Sequence, residues 1–192
     1  RPDRHVSMRS GADTVLGRMR RPYAADDVDR AVRTAAGLAP HVGVGADVIV
    51  GFPGETDEEF EATRHMIDTA PFSYLHVFRY SSRPGTRAAD MKDCHTETIT
   101  ARSAVLRDLS ARKRSEFESA LVGCELEAIV ESDRPAPGWV HATTGNYASV
   151  LVPDSWEQGA SVRLTPEGVR DGTLYSERVE ALVPSQAMGE HA

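Results

Sequence analysis

An aspartate stands inside an apolar run at Asp47-Val-Ile-Val50, and Gly51-Phe52-Pro53-Gly54 follows at once. A carboxylate in apolar surroundings must be paired or shift its pKa, so Asp47 is a candidate to hold a cationic group. The plain alternative is a structural pair with a neighbouring arginine. Gly51 and Gly54 let a ligand approach the backbone closely. Thr56 and Glu59 have capping-box spacing, so a helix begins there and its first N–H groups are free for an oxygen-rich ligand. Val50 and Phe52 flank the turn and either wall an aromatic ring or fill a core. The histidines at 5, 41, 65, 76, 95, 141 and 191 do not fall at ligand spacing, and no Ser/His/Asp arrangement is indicated. Cys94 and Cys124 form neither a zinc nor a cluster motif and read as two unrelated thiols of a reducing compartment.

The elements that must place these residues follow from periodicity. Arg4 to Met8 reads as the end of a strand and Asp13 to Arg20 as a short helix. Asp26 to Leu38 carries Val28, Ala31, Val32, Ala35 and Ala36 at helical spacing, ended by Gly37 and Pro40. Val42 to Val50 is a strand, Glu58 to Ala70 a helix and Tyr74 to Tyr80 another strand. Two βα repeats and a strand fit part of a (β/α) barrel, in which ligands bind at the carboxyl ends of the strands. Ser81 to Glu97 reads as a long ordered loop, and Thr98 to Leu121 as a long helix with an Arg/Lys run. From Gly123 the texture changes to short alternating segments between Gly, Pro and Asp turns: Glu125–Glu131, Trp139–Thr143, Ser149–Val152, Ser161–Thr165 and Thr173–Ser176. That pattern predicts a small antiparallel β-barrel. The expected division is 1–116, 117–185 and a tail at 186–192.

At 192 residues, with 40% hydrophobic and 27% charged, the chain has an ordinary globular composition. No apolar run is long enough to span a membrane and no signal peptide is visible, so the expected place is the cytoplasm. The net charge of −7 argues against a uniformly basic nucleic-acid binder. The charge is uneven: residues 1–24 hold six Arg against two Asp, whereas residues 120–183 hold four Arg against ten Asp and Glu. Phosphate contacts are therefore expected near the strand-end rim and the Arg-rich helix rather than over the tail.

Three blocks carry a family resemblance. Asp47-Val-Ile-Val-Gly-Phe-Pro-Gly-Glu-Thr56 resembles the fifth-strand motif of the radical S-adenosylmethionine (SAM) methylthiotransferases. Ser10-Gly-Ala-Asp-Thr-Val-Leu-Gly-Arg-Met-Arg-Arg-Pro-Tyr23 is similar to a block preceding it, and Leu75-His-Val-Phe-Arg-Tyr-Ser-Ser-Arg-Pro-Gly-Thr-Arg-Ala88 to one following it. The His76-Val77-Phe78 wording, and Gly145-Asn146-Tyr147 followed by Val150-Leu151-Val152, look most like the MtaB-type branch acting on threonylcarbamoyladenosine beside the tRNA anticodon.

The resemblance implies the carboxyl-terminal part of a radical SAM partial TIM-type barrel, followed by an OB-like TRAM barrel that binds RNA. It implies SAM as cofactor, with Arg9, Ser10, Asp47, Gly51 and Phe78 on the SAM side. The RNA side would include Arg83, Arg112 and Tyr147, with Trp139 and His141 as further stacking candidates, and the partner would be a tRNA anticodon stem-loop. Arg9 stands where the family usually has glutamine; it adds a fixed charge and only donates hydrogen bonds. The family's [4Fe–4S] clusters need cysteine runs that this chain lacks. Hence the expectation of a carboxyl-terminal piece whose amino-terminal half is a separate partner. The alternative is a non-catalytic RNA-binding remnant of such an enzyme.

Overall fold

β-Branched runs form the strands, and the alanine- and charge-rich stretches between them form helices. The computed structural model describes residues 3–182. Its first elements are β1 (Asp3–Arg9), α1 (Asp13–Arg18), α2 (Ala25–Ala36), β2 (Gly43–Val50), α3 (Asp57–Thr69), β3 (Tyr74–Arg79) and α4 (Thr96–Ser119). A 3-10 turn, Arg87–Asp90, interrupts the segment read as loop. The chain divides into two compact units, one ending at Phe117 and the other beginning at Glu118. The tail read at 186–192, and His191 with it, lies outside the described residues.

In the first unit β1, β2 and β3 are parallel neighbours in that order, joined through helical crossovers as parallel pairing requires. One face is packed. Met8, Val44, Ala46, Val48, Val50 and Leu75 bury against Val28 and Val32 of α2, Ile67 of α3, and Leu106 and Leu109 of α4. The opposite face carries His5, Ser7, Asp47, Ile49, His76 and Phe78, all exposed or half-buried. Gly45 sits there because the Tyr74 ring lies across it; an added Cβ would stand 2.2 Å from that ring. Ala31, read as part of the buried stripe of α2, is exposed at the edge of the stripe formed by Val28, Val32 and Ala35. The class is α/β as the repeats predict. The sheet does not close: three strands leave β1 and β3 as edges, far short of the number a barrel needs.

The second unit contains β4 (Leu126–Val130), β5 (Trp139–Thr144), β6 (Ser149–Pro153), β7 (Ser161–Leu164), β8 (Gly168–Arg170), β9 (Thr173–Tyr175) and β10 (Val179–Ala181). Their order is β10-β7-β4-β5-β6-β9-β8. Alternate residues (Ala128, Val130, Val140, Ala142, Val150, Val152, Val162, Leu164) turn inward and are buried. Two features correct the expected antiparallel barrel. β6 and β9 pair in parallel, because residues 154–172 carry the chain away to place β7 beside β4 and bring it back in the same direction. β10 and β8 end the order without pairing to each other among the described residues. Both are three-residue strands, too short to show alternation in the sequence.

Core packing dominates stability here. Ile67→Ala, at a fully buried position, is expected to cost ~2–5 kcal/mol in urea unfolding followed by circular dichroism. Ile129→Ala, 54% exposed, is expected to change it by less than ~0.5 kcal/mol.

Candidate functional site

The site begins with an irregularity in β1. Val6 pairs with Ala46 and Arg9 with Val48, so β1 spends three residues where β2 spends two. Such a bulge re-aims the residues that follow it. Arg9 takes a left-handed φ of 66° and sets Nη1 3.5 Å from Asp47 Oδ2. His5 Nε2 lies 2.9 Å from Asp47 Oδ1. Asp47 is thus held by an arginine and a histidine on the open face of the sheet. Across that face His5 and His76 meet edge to face at 5.4 Å, and His76 and Phe78 stack at 6.4 Å.

The turn after β2 is fastened from below. Gly51 has φ +75°, and a Cβ there would stand 2.4 Å from Ile99, so glycine is required twice over. Its N–H donates to Glu55 Oε2 at 3.0 Å. Arg102 of α4 donates to the same Oε2 at 2.8 Å and to the Glu55 carbonyl at 3.2 Å. Its other Nη donates to Asp57 at 2.6 Å, and its guanidinium lies 5.1 Å from the Phe60 ring. Glu55 and Arg102 are both buried. Burial pushes the Glu55 carboxyl upward, opposed by the Gly51 N–H and the Arg102 charge.

The helix start is tied to α1. Thr56 accepts from the Glu59 N–H at 3.2 Å, and Glu59 accepts from the Thr56 N–H at 2.9 Å, which completes the capping box. Arg18 then grips Glu59 with two hydrogen bonds of 2.9 and 2.6 Å. The Arg18 guanidinium beside Glu59 holds its carboxyl down at about 2, with Thr14 and the Thr56 N–H helping against burial.

These parts surround a cleft of about 920 Å³ at the carboxyl ends of the strands. Seven of its lining residues are arginines and one, Asp47, is a carboxylate. Arg9 is answered by Asp47 and Arg18 by Glu59. Arg20, Arg21, Arg79, Arg83 and Arg87 are exposed and form no ion pair with a described residue. Ile49, Phe52, Phe78 and Tyr80 supply the apolar wall, with Phe52 and Tyr80 edge to face at 5.3 Å. Two buried polar atoms of the lining, Arg9 Nε and Tyr80 Oη, lack a hydrogen-bond partner among the described residues.

Of the residues singled out from sequence, Arg9, Asp47, Phe78 and Arg83 come together in this cleft. Ser10 and Gly51 do not line it. Ser10 is fully buried, its hydroxyl 3.1 Å from that of Thr63 and accepting from the Ala12 N–H at 3.2 Å. Arg112 is engaged by Asp68 and, at 2.7 Å, by Glu116. Lys113 is buried and donates to the Ala70 carbonyl at 3.0 Å, capping α3, and burial lowers its pKa. Arg114 lies over the Tyr74 ring at 5.2 Å. The Arg/Lys run of α4 therefore serves packing at these three positions. In the second unit Tyr147, at φ 62°, is half-exposed on a hairpin turn beside Ile129. Trp139 is packed, with Arg170 4.7 Å above its ring and Tyr175 edge-on at 6.3 Å, and His141 pairs with Asp133 at 2.8 Å. Sequence reasoning missed Arg20, Arg21, Arg79 and Arg87 as members of one site. Their signal was an excess of arginine in two blocks that only the parallel sheet brings together.

No protein-family model matches the chain. Curated proteins do. The tRNA-2-methylthio-N(6)-dimethylallyladenosine synthase of Corynebacterium diphtheriae is 37% identical over 187 residues, 97% of this chain and 35% of that protein. The enzyme of the same name from Cereibacter sphaeroides is 33% identical over 189 residues, 98% and 41%. The threonylcarbamoyladenosine tRNA methylthiotransferase MtaB of Aquifex aeolicus is 34% identical over 164 residues, 85% and 38%. Its relatives are tRNA methylthiotransferases. The chain spans about two fifths of their length and matches their carboxyl-terminal part. Among solved structures, an archaeal Methanocaldococcus infernus Elp3 with an N-terminus deletion (1–46) superposes at a TM-score of 0.43 and 12% identity, covering 92% of this chain and 55% of that one.

The residues present answer differently to the two groups that such relatives imply. A [4Fe–4S] cluster does not fit, since Cys94 and Cys124 lie one in each unit and no group of three or more metal-ligating side chains occurs among the described residues. SAM finds a partial fit in the cleft: Ile49 and Phe78 for an adenine face, and Asp47 for a cationic group, with Arg9 and His5 as competitors for that carboxylate.

Arg102→Ala removes the cation from a buried carboxylate and is expected to cost ~3–5 kcal/mol in denaturant unfolding. Glu59 is depressed in the folded state, so its contribution is present above its unfolded value of 4.5 and lost as pH falls through about 2. Between pH 6 and pH 3 the native chain is expected to lose roughly 1–2 kcal/mol more than Glu59→Gln, measured by urea unfolding at each pH.

Proposed function

We propose that this chain serves a tRNA methylthiotransferase, and that its strand-end cleft receives the tRNA whose modified adenosine, beside the anticodon, is the substrate. The observation that carries the reading is the set of five exposed arginines, without an ion pair among the described residues, around one cleft in a chain of net charge −7. Such a local concentration of guanidinium groups suits a phosphate backbone, because each phosphate neutralised releases condensed counterions. The names of the relatives, all of them enzymes acting on tRNA, support the same substrate. SAM, when bound, supplies the radical chemistry of the family, with cluster ligands from outside this chain. The cleft's own residues hold and orient RNA: Arg79, Arg83 and Arg87 on the β3 side, Arg20 and Arg21 on the α1 side. The second unit, with ten Asp and Glu against four Arg at 120–183, contributes little phosphate binding; Val122, Ile129, Tyr147 and Val169 are exposed apolar groups on it.

The test is RNA affinity against salt. An anticodon stem-loop titrated into the chain should bind with a steep dependence on salt concentration. Replacing Arg79, Arg83 and Arg87 together by Ala should lower the slope of log K against log salt by about 2. Arg107→Ala, on α4, should leave the slope unchanged. A slope governed by Arg107 and indifferent to the three cleft arginines would place the RNA on the helix instead.

A further inference from the structure

We infer that Phe78 is a stacking platform for an unpaired purine of the bound RNA, so that the cleft selects a single-stranded loop over a duplex. This rests on the proposal that the cleft receives RNA. Phe78 is the penultimate residue of β3, on the open face of the sheet, and is 48% exposed although it is large and apolar. One side of its ring is backed by His76, with ring centroids 6.4 Å apart and planes only 24° from parallel. His76 in turn meets His5 and Tyr74, each at 5.4 Å, so the platform is the end of an aromatic row anchored across the sheet. The cleft extends that row, and the exposed cations of Arg79, Arg83 and Arg87 follow Phe78 directly in the chain.

An aromatic face beside several guanidinium groups is the arrangement that holds unpaired nucleotides: the ring takes a base and the cations take the phosphates on either side. A base inside a duplex has no free face to offer, so a duplex keeps the phosphate contacts and loses the stack. A purine ring reaches such a platform from two sources, an RNA loop or the adenosine of SAM. The charge decides between them. SAM carries a sulfonium, an amino group and one carboxylate, a net positive charge, whereas the cleft presents five arginines without an ion pair to a described residue and one carboxylate already held by His5 and Arg9. Phosphodiesters meet that field favourably.

The experiment titrates the full chain into a stem-loop carrying 2-aminopurine in its loop, and into a duplex of equal charge, at several salt concentrations. Phe78→Ala and Phe78→Tyr are measured beside it, and SAM binding is measured by calorimetry on the same proteins. Expected are quenching of 2-aminopurine on binding, a preference of about tenfold for the loop over the duplex, loss of both in Phe78→Ala with the salt slope unchanged, and their return in Phe78→Tyr. Salt-dependent binding with no quenching, or with Phe78→Ala equal to the native chain, would overturn the stacking platform and leave the RNA-binding cleft standing. Loss of SAM binding in Phe78→Ala with RNA binding intact would assign the purine to the cofactor and overturn the inference. Absence of RNA binding by every protein would overturn both readings together.

Discussion

The buried pair of Glu55 and Arg102 is the constraint on which the site depends. Arg102 comes from α4, more than forty residues away in sequence, and meets the Glu55 carboxylate, the Glu55 carbonyl, Asp57 and the Phe60 ring. Glu55 passes that restraint to the Gly51 N–H, and so to the left-handed turn that ends β2. A buried ion pair is rarely a net source of stability, because both charges lose their water. Here it fixes geometry: one helix, one turn and one helix start are tied at a single point. The second tie, Arg18 to Glu59, fastens α1 to the same helix start. The two ties thus join the turn and the start of α3 to α4 on one side and α1 on the other.

On that floor the charge distribution acquires meaning. The chain as a whole is acidic, and its second unit strongly so, yet the cleft concentrates arginine. Exposed like charges repel, and a fold gains nothing by gathering Arg20, Arg21, Arg79, Arg83 and Arg87 around one cavity unless a polyanion joins them. Several arginines elsewhere have internal partners: Arg112 with Asp68 and Glu116, Arg33 with Asp29, Arg64 with Glu61; Arg107 and Arg178 form no ion pair with a described residue but stand singly rather than around one cavity. What sets the five cleft arginines apart is their gathering around one cavity together with their lack of an ion pair. The bulge of β1 turns Arg9 onto Asp47 instead, so cancelling the charge that this arginine would otherwise add to the cleft floor.

Much of the first unit was legible because its signals are local. The capping box at Thr56 and Glu59, the glycine turn at Gly51 and the apolar run of β2 each lie within a few residues, and each forms as read. Long-range facts were not legible. Ser10 looks like a site residue in its motif, but its hydroxyl is taken up by Thr63, fifty-three residues on. Lys113 looks like part of a solvated stripe, but the carbonyl end of α3 draws it inward. In the second unit the alternation of β4 to β7 was clear, whereas the parallel pairing of β6 with β9 and the strands β8 and β10 depend on where the chain returns, which no local pattern encodes. The arginine cleft is the same kind of fact: two blocks of ordinary sequence become one site only through the parallel order of the sheet.

The central claim is that RNA sits in the cleft of the first unit. Photo-cross-linking addresses it most directly: an anticodon stem-loop carrying 4-thiouridine in its loop is irradiated with the full chain, and the linked peptides are mapped by mass spectrometry. The account predicts cross-links on residues 76–88 and 18–21, with few on β4 to β10. Cross-links concentrated at Tyr147 and Ile129, with none on β3 or the residues that follow it, would contradict it.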